Sequence, residues 1–283
     1  MLSSRRVIVT ADDFGLSTAV NEAIEQASGR GILTCASLMM GEKAVMDALL
    51  RARRSSRLRV GLHVVVADGW PVLAPHRIPG LCDSRGRLDD RLTRAGFRFF
   101  FSRSIARQLE AEIRAQFAAF AKTGLVLDHV NAHKHMHLHP TVLGIILRVG
   151  RDYGMRAVRL PYEPSVGALS GPERFRRVVG MAVTGPWTCL MRWRLNRAHL
   201  QHNDGMMGLS RSGLMDEETV LRLLQNLPEG TTEMYFHPAT EDDANARSRG
   251  YRQQAEFRAL MSPRVRSALR ERGVPCLSFS DLA

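Results

Sequence analysis

The sequence predicts a single α/β domain whose parallel strands close, or nearly close, into a barrel of the TIM-barrel type. Short apolar or β-branched runs recur along the chain, and helix-like stretches separate them. About seven such units are present, and the length of 283 residues is near the roughly 250 of a typical α/β barrel. An open, doubly wound sheet is the alternative fold. No internal repeat divides the chain, so one domain over residues 1–283 is expected.

The predicted elements follow from these patterns in chain order. Strands are predicted at residues 7–10, 32–38, 60–66, 125–130, 157–160, 234–236 and 276–279. One helix is predicted to begin at Ser17 and to end near Gly29, and others to span residues 104–122, 140–153 and 216–226. Residues 70–101 hold many Pro, Gly and Arg residues with little periodicity, so a long loop over one face of the barrel is expected there.

The charge of the chain is strongly positive. A formal net charge of +12 would suit a nucleic acid or an anionic membrane. Of the 40 basic residues, however, only Lys43, Lys122 and Lys134 are lysines. The excess of arginine over lysine is therefore explained as well by a coding bias as by a binding surface. No nucleic-acid partner is expected.

The cysteines and the N-terminus indicate the cellular setting. Four cysteines lie far apart with no C-x-x-C pair, which indicates neither a zinc ribbon nor a disulfide framework. The first residues run directly into an apolar strand and leave no room for a signal peptide. A cytoplasmic location is the expectation.

Two carboxylates follow the first predicted strand. Asp12 and Asp13 come directly after its apolar run. In α/β barrels the active site lies at the carboxyl ends of the strands, so this position favours a functional pair. The alternative is a helix cap or a turn, but Ser17 already offers a cap for the first helix.

Histidines stand at the ends of two further strands. His63 lies near the end of the third predicted strand, and His133 lies at the exit of the fourth. Alone, His63 would more often be a core residue than a ligand. One carboxylate and two imidazoles from three strand ends can hold one divalent ion and leave positions for water and substrate. Zinc, magnesium and manganese are all compatible with such a set.

Other polar side chains are expected to shape the same pocket. His135, His137 and His139 fall between a strand and the next helix, where pocket roles fit better than metal binding. His237 again ends a strand, and histidine suits general acid work because its unperturbed pKa lies near neutrality. Arg159 is expected either to point into the pocket mouth, paired with a carboxylate, or to lie on the surface.

Four motifs together resemble the YdjC-like (ChbG-like) carbohydrate deacetylases. They are Thr10-Ala11-Asp12-Asp13-Phe14-Gly15-Leu16-Ser17, Gly61-Leu62-His63, His133-Lys134-His135-Met136-His137 and Phe236-His237-Pro238, in the family's order over nearly the whole chain. The resemblance implies a distorted (β/α) barrel, one divalent metal ion and hydrolysis of the N-acetyl group of an amino sugar. By the same resemblance, Asp13, His63 and His133 hold the metal. Asp12 is then the general base and His237 the general acid.

One position departs from the family pattern. The family commonly has Asp-Ser before the metal-binding histidine, whereas this chain has Asn131-Ala132. The change removes a charge beside the ligand, so the tuning of the metal is expected to differ.

Residues 131–140 resemble more narrowly the hopanoid-biosynthesis-associated (HpnK-like) branch, whose implied substrate is an N-acetylglucosaminyl hopanoid. Residues 178–195 are strongly apolar and flanked by arginines, within a Trp-rich insertion at about 171–212. Because Gly185-Pro186 interrupts this segment and charges enter it, a membrane span is not expected. An interfacial or lipid-gripping element is expected instead, with a pair of core helices as the alternative.

The candidate substrate contacts are Arg159, His135, His137, Trp187 and Met206. The expected substrate is a glycolipid or an amino sugar, with peripheral contact at the inner membrane. Three other activities stay open: deacetylation of soluble chitooligosaccharides, another metal hydrolase such as a phosphoesterase, and non-catalytic lipid binding.

Overall fold

The computed structural model describes residues 4–163, 172–242 and 250–282. In these ranges the strands are β1 (Arg5–Phe14), β2 (Cys35–Leu38), β3 (Arg59–Val64), β4 (Val130–Ala132), β5 (Gly205–Met207), β6 (Gly230–Phe236) and β7 (Cys276–Leu277). They form one parallel sheet in the order β4-β3-β2-β1-β6-β5, with β7 beside β1. β1 lies inside the sheet and is buried along most of its length, as expected of a parallel strand covered on both faces.

The outer strands β4 and β5 are connected through an extended segment at residues 157–162. Val158 bridges Val130 of β4, and Ala157 bridges Gln201 just before β5. The sheet therefore curls into a distorted barrel, which confirms the predicted α/β fold class. The strand predicted in this segment is present only as these two bridges, because β4 and β5 are too short to form a regular ladder with it.

Helices cover the outside of the curled sheet. In the described part of the chain they are α1 (Thr18–Arg30), α2 (Val45–Arg54), α3 (Leu92–Phe101), α4 (Arg103–Ala121), α5 (Pro140–Asp152), α6 (Pro172–Arg197), α7 (Glu217–Gln225), α8 (Gln253–Met261) and α9 (Pro263–Glu271). The side chains of Ser17, Ser102 and Asp216 accept hydrogen bonds from the first turns of α1, α4 and α7. Such caps satisfy backbone donors that have no partner within the helix. The predicted helices correspond to α1, α4, α5 and α7.

The segment at 70–101 is not the continuous loop that the sequence predicts. It contains a 3-10 turn at Pro75–Arg77 and ends in α3. Of the side chains of α3, only Ala95 and Phe99 are buried. Phe97, Phe100 and Phe101 face solvent, so the aromatic residues of this helix do not mark a single buried stripe.

The Gly185-Pro186 pair does not divide α6 into two helices. The helix continues past Pro186, and Thr188 Oγ1 donates to the carbonyl of Thr184 at 2.9 Å in this region. The side chains of residues 178–183, which begin the predicted apolar segment, lie outside the described part. No helix in the described part of the chain is both long enough and apolar enough to cross a membrane.

Gly61 in β3 is expected to tolerate no side chain. A Cβ at this position would lie 2.5 Å from the His129 ring and from its carbonyl oxygen. We expect Gly61→Ala to lower the free energy of unfolding by about 1–3 kcal/mol, because the buried neighbours must move. Urea denaturation would measure the change.

Gly29 provides the matched control, since a Cβ there meets no atom within 4 Å. Gly29→Ala in helix α1 should leave stability unchanged or raise it by up to about 1 kcal/mol. Equal losses in the two variants would contradict the packing at Gly61.

Candidate active site

The carboxyl ends of β1, β3, β4 and β6 meet around a cavity of about 240 Å³. In parallel barrels these ends lie on one face, so side chains distant in sequence converge there. The residues predicted to bind metal and to catalyse all line this cavity: Asp12, Asp13, His63, His133 and His237. His135, which was predicted to shape the pocket, lines it as well.

Asp13, His63 and His133 form a compact group of metal-ligand type. Asp13 Oδ1 lies 3.4 Å from His63 Nε2 and 3.2 Å from His133 Nδ1. The two imidazole nitrogens are 3.3 Å apart, so the three atoms form a nearly equilateral triangle. Ligand atoms held tetrahedrally at about 2.1 Å from one ion are about 3.4 Å apart. The group, buried on all three side chains, therefore fits a single divalent ion.

The backbone around this group adopts left-handed conformations that side chains rarely take. Asp13 has a φ of 64°, and Lys134 and His135 have φ values of 52° and 53°. Such conformations cost of order 1–3 kcal/mol each and cluster at functional sites. Here they accompany an irregularity of β1 and the 3-10 turn that starts at His133, directly after β4. The strands thus end sharply where the ligand side chains are needed.

Arg159 is fully buried between two carboxylates. Its guanidinium donates to Asp12 at 2.5 and 2.9 Å and to Glu233 at distances from 2.7 to 3.0 Å. Burial alone would raise the pKa of Asp12, but the Arg159 charge holds that pKa well below its usual range. Asp12 is therefore ionised at neutral pH.

The side-chain amide of Asn131 contacts both Asp12 and a histidine of the metal group. Its Nδ2 donates to Asp12 Oδ1 at 3.2 Å, and its Oδ1 lies 2.6 Å from His63 Nδ1. An accepting Oδ1 places the His63 proton on Nδ1, which leaves Nε2 free to bind a metal. A carboxylate at position 131 could accept from His63 but would repel Asp12. The amide therefore suits both contacts.

Behind Asn131 the hydrogen-bonded chain continues through buried polar side chains. Asn131 Nδ2 donates to Ser37 Oγ at 2.8 Å, and Ser37 Oγ lies 3.0 Å from His129 Nε2. His129 Nδ1 in turn lies 2.8 Å from Asp128 Oδ2. Cys35 joins Asp128 and His129 in a second group of metal-ligand type. This second group lies outside the cavity lining, and burial raises the pKa of the Cys35 thiol, which opposes the thiolate that a metal needs.

His237 packs beside an aromatic ring and a buried acid. Its ring centroid lies 4.8 Å from that of Tyr251, and its Nδ1 lies 3.9 Å from Glu256 Oε2. Burial lowers the pKa of His237 to about 4 and raises the pKa of Glu256 to about 7. The imidazole is therefore neutral at neutral pH, with one ring nitrogen able to accept a proton.

The predicted substrate contacts lie at different distances from the cavity surface. His135 lines the cavity, whereas His137 and Met206 are fully buried and do not. Trp187 on α6 is 41% exposed and also lies outside the cavity lining. Arg159 pairs with carboxylates, as predicted, but lies behind Asp12 and not in the pocket mouth, which corrects that expectation. Sequence alone could not separate these positions, because distance from the cavity depends on how the elements pack.

Sequence analysis did not single out Glu233, Tyr235, Tyr251 and Glu256, each of which contacts a predicted site residue. Glu233 and Tyr235 precede His237 at alternate positions of β6, so they share its face of the strand. That alternation is a signal that could have identified them. Tyr251 and Glu256 come from α8 and the residues just before it, and nothing in their local sequence indicates the contact with His237.

Comparisons with known proteins agree over nearly the whole chain. The family model described as YdjC-like protein matches residues 6–271. A carbohydrate deacetylase of Brevibacillus brevis is 28% identical over 280 residues, covering 98% of this chain and 99% of the relative. A carbohydrate deacetylase of Mus musculus is 31% identical and covers 98% of this chain and 94% of the relative.

A solved structure has the same fold. It is a crystal structure from Enterococcus faecalis V583, named there as that of a candidate cellobiose-phosphate cleavage protein. The two structures superpose with a TM-score of 0.75 at 25% sequence identity, over 99% of this chain and 100% of the other. The curled barrel described above is thus an experimentally observed architecture.

Replacing a ligand side chain of the metal group should weaken metal binding strongly. Loss of a residue behind a ligand already weakens metal binding by 10–100-fold, so we expect Asp13→Asn and His133→Ala each to weaken zinc binding by about 100-fold or more. Competition titration with a chromophoric chelator would measure this. Asp12→Asn, which lies outside the group, should keep the ion, and wild-type affinity in His133→Ala would refute the assignment.

Replacing Asn131 should weaken metal binding without removing a ligand. Asn131→Ala deletes the acceptor that orients His63, so zinc affinity should fall by about 10–100-fold. The same titration would detect the loss. Asn226→Ala, at the exposed end of α7, is the matched control and should bind zinc like the wild type. Equal affinities in both variants would argue against an orienting contact.

Proposed function

The chain belongs to the YdjC-like family, and we propose from that premise how it removes an N-acetyl group from an amino sugar. It is a carbohydrate deacetylase, a hydrolase that cleaves an amide C–N bond. The observation that carries this function is the triangle of metal-ligand atoms, which shares its cavity with Asp12 and His237. Amide hydrolysis needs this combination of an electrophile, a base and an acid.

We propose a divalent metal ion held by Asp13, His63 and His133. Such an ion would polarise the acetyl carbonyl and make the attacking water more acidic. Two imidazoles and one carboxylate suit zinc, which readily takes nitrogen donors. Magnesium, which prefers oxygen donors, is the alternative.

Asp12 is proposed as the general base. It lines the cavity beside the metal group, with its Oδ1 4.0 Å from His63 Nδ1. Arg159 and Asn131 hold its carboxylate in one orientation. Because its pKa is held low, Asp12 is a weak base that is always ionised. It therefore accepts the proton of a water molecule that has already been made acidic.

His237 is proposed to protonate the departing amine nitrogen, which is otherwise a poor leaving group. Burial keeps the imidazole neutral before the reaction, while the charges of Asp12 and Asp13 favour its protonated form. The proton that Asp12 accepts from the attacking water is the one that the amine gains: it passes to His237, which releases it to the amine nitrogen as the C–N bond breaks. Glu256, close to His237 Nδ1, supports the positive charge when it is ionised.

An N-acetylglucosaminyl hopanoid is the proposed substrate. The sequence at residues 131–140 resembles the branch with that substrate, and His135 from this segment lines the cavity. Trp187 and Trp193 of α6 are 41% and 57% exposed, which suits contact with the lipid part. A cytoplasmic enzyme with peripheral contact at the inner membrane belongs to this proposal. Soluble chitooligosaccharides are the alternative substrates.

Mass spectrometry would test the reaction and its substrate. The zinc-loaded protein is incubated with N-acetylglucosaminyl hopanoid and, separately, with chitobiose. We expect the loss of one acetyl group from the hopanoid only. Loss from chitobiose only would retain the deacetylase and reject the lipid substrate, and no loss from either would reject both.

Two variants test the base. Asp12→Asn should lower kcat by about 10²–10⁴-fold, the usual contribution of general acid–base catalysis, while zinc stays bound. Asp152→Asn is the matched control, because Asp152 is exposed and pairs with Arg114 at the surface. Comparable turnover in Asp12→Asn and the wild type would exclude Asp12 as the base.

A further inference from the structure

Helix α3 presents an unusual aromatic surface to solvent. Phe97, Phe100 and Phe101 are 64%, 51% and 76% exposed, and we name these three residues the α3 aromatic patch. The rings of Phe97 and Phe101 are stacked with centroids 6.1 Å apart, and Phe100 lies 5.4 Å from Phe101. Adjacent exposed aromatic side chains are unfavourable in water and mark interaction sites.

The segment that carries this patch is rich in arginine, although Asp89 and Asp90 directly precede it and Glu110 follows it. Residues 91–107 contain five arginines and no acidic residue: Arg91, Arg94, Arg98, Arg103 and Arg107. Arg91 and Arg94 lie within 3.6 Å of Asp89, which precedes this range. Among the described residues the other three arginines have no ion pair. Aromatic side chains beside unpaired arginines are typical of segments that lie in the headgroup region of an anionic bilayer.

Helix α3 extends from the catalytic cavity to the patch. Leu92, the first residue of α3, lines that cavity. At the other end of the helix, the Phe100 ring lies 5.4 Å from His139, which caps α5 directly after the histidine-rich turn. A surface bound through α3 would therefore lie close to the metal group.

A second copy of this chain fits the patch poorly. A two-fold symmetric contact would bring the same surface from both molecules together. The unpaired arginines of one copy would then face those of the other, and like charges in a contact are costly. An anionic lipid surface instead complements both the charge and the apolar character.

We propose that the α3 aromatic patch docks the protein on an anionic lipid bilayer, beside the mouth of the catalytic cavity. The phenylalanines enter the interface, and the nearby arginines contact lipid phosphates. An amino-sugar headgroup in the bilayer can then reach the cavity without leaving the lipid. Delivery of a lipid headgroup to the cavity rests on the proposed lipid substrate. Binding of the protein to the bilayer does not rest on that proposal.

Vesicle sedimentation would test the docking surface. Phosphatidylcholine vesicles with phosphatidylglycerol should bind the wild type, and vesicles of phosphatidylcholine alone should bind it far less. The triple variant F97S/F100S/F101S should partition at least about tenfold less onto the anionic vesicles, since each phenylalanine contributes hydrophobic free energy. Charge reversal in R98E/R103E/R107E should weaken binding by a similar factor.

The matched control changes exposed apolar residues elsewhere. M46S/L50S/V126S alters three side chains that are each more than half exposed, and it should bind vesicles like the wild type. Equal binding by the α3 triple variant and the wild type would overturn the proposal. So would a dimer in light scattering that F97S/F100S/F101S dissociates.

Activity measurements separate this inference from the proposed function. On N-acetylglucosaminyl hopanoid dispersed in detergent, F97S/F100S/F101S should turn over like the wild type, and on anionic vesicles it should be slower. Vesicle binding without any deacetylation would reject the proposed function and retain docking. Deacetylation without vesicle binding would retain the proposed function and reject docking.

Discussion

The buried guanidinium of Arg159 is the contact on which the site depends most. It comes from the segment that connects the two outer strands of the sheet, and it donates to Asp12 on β1 and Glu233 on β6. Without this charge, two carboxylates would lie buried without a positive partner, a situation that costs several kcal/mol and drives protonation. One side chain thus links closure of the barrel to the ionised state of the proposed base.

Beside the metal group, the neutral side-chain amide of Asn131 forms hydrogen bonds with both a carboxylate and an imidazole. Asn131 donates a hydrogen bond to the Asp12 carboxylate and accepts one from the His63 ring. A carboxylate could satisfy only the histidine. The chain through Ser37 and His129 then anchors the amide in the interior, where unpaired polar groups are costly and such networks are correspondingly rigid. The departure from the family pattern at position 131 is therefore compatible with a well-oriented ligand.

The buried floor of the cavity contrasts with its surroundings. The ligands and their neighbours are buried side chains at strand ends, whereas α3 and α6 carry exposed aromatic residues. Both helices pack on α5, which follows the histidine-rich turn directly. The proposed catalytic residues and the proposed docking surface thus lie on different elements of one fold, as when a structural scaffold carries variable outer segments.

Local pattern alone determined much of this protein: the alternating strands and helices, and the placement of Asp12, Asp13, His63, His133 and His237 at strand ends. These features follow from periodicity and from the rule that parallel strands end on one face. The resemblance to a family suggested Asp13 as the carboxylate that joins the histidines, and the distances in the structure support that grouping. Only the tertiary structure decided that Arg159 lies behind Asp12 and that α3 forms within a predicted loop. Each of these features depends on contacts between residues far apart in sequence. The local pattern of apolar and polar residues does not indicate which distant residues will bury a given side chain.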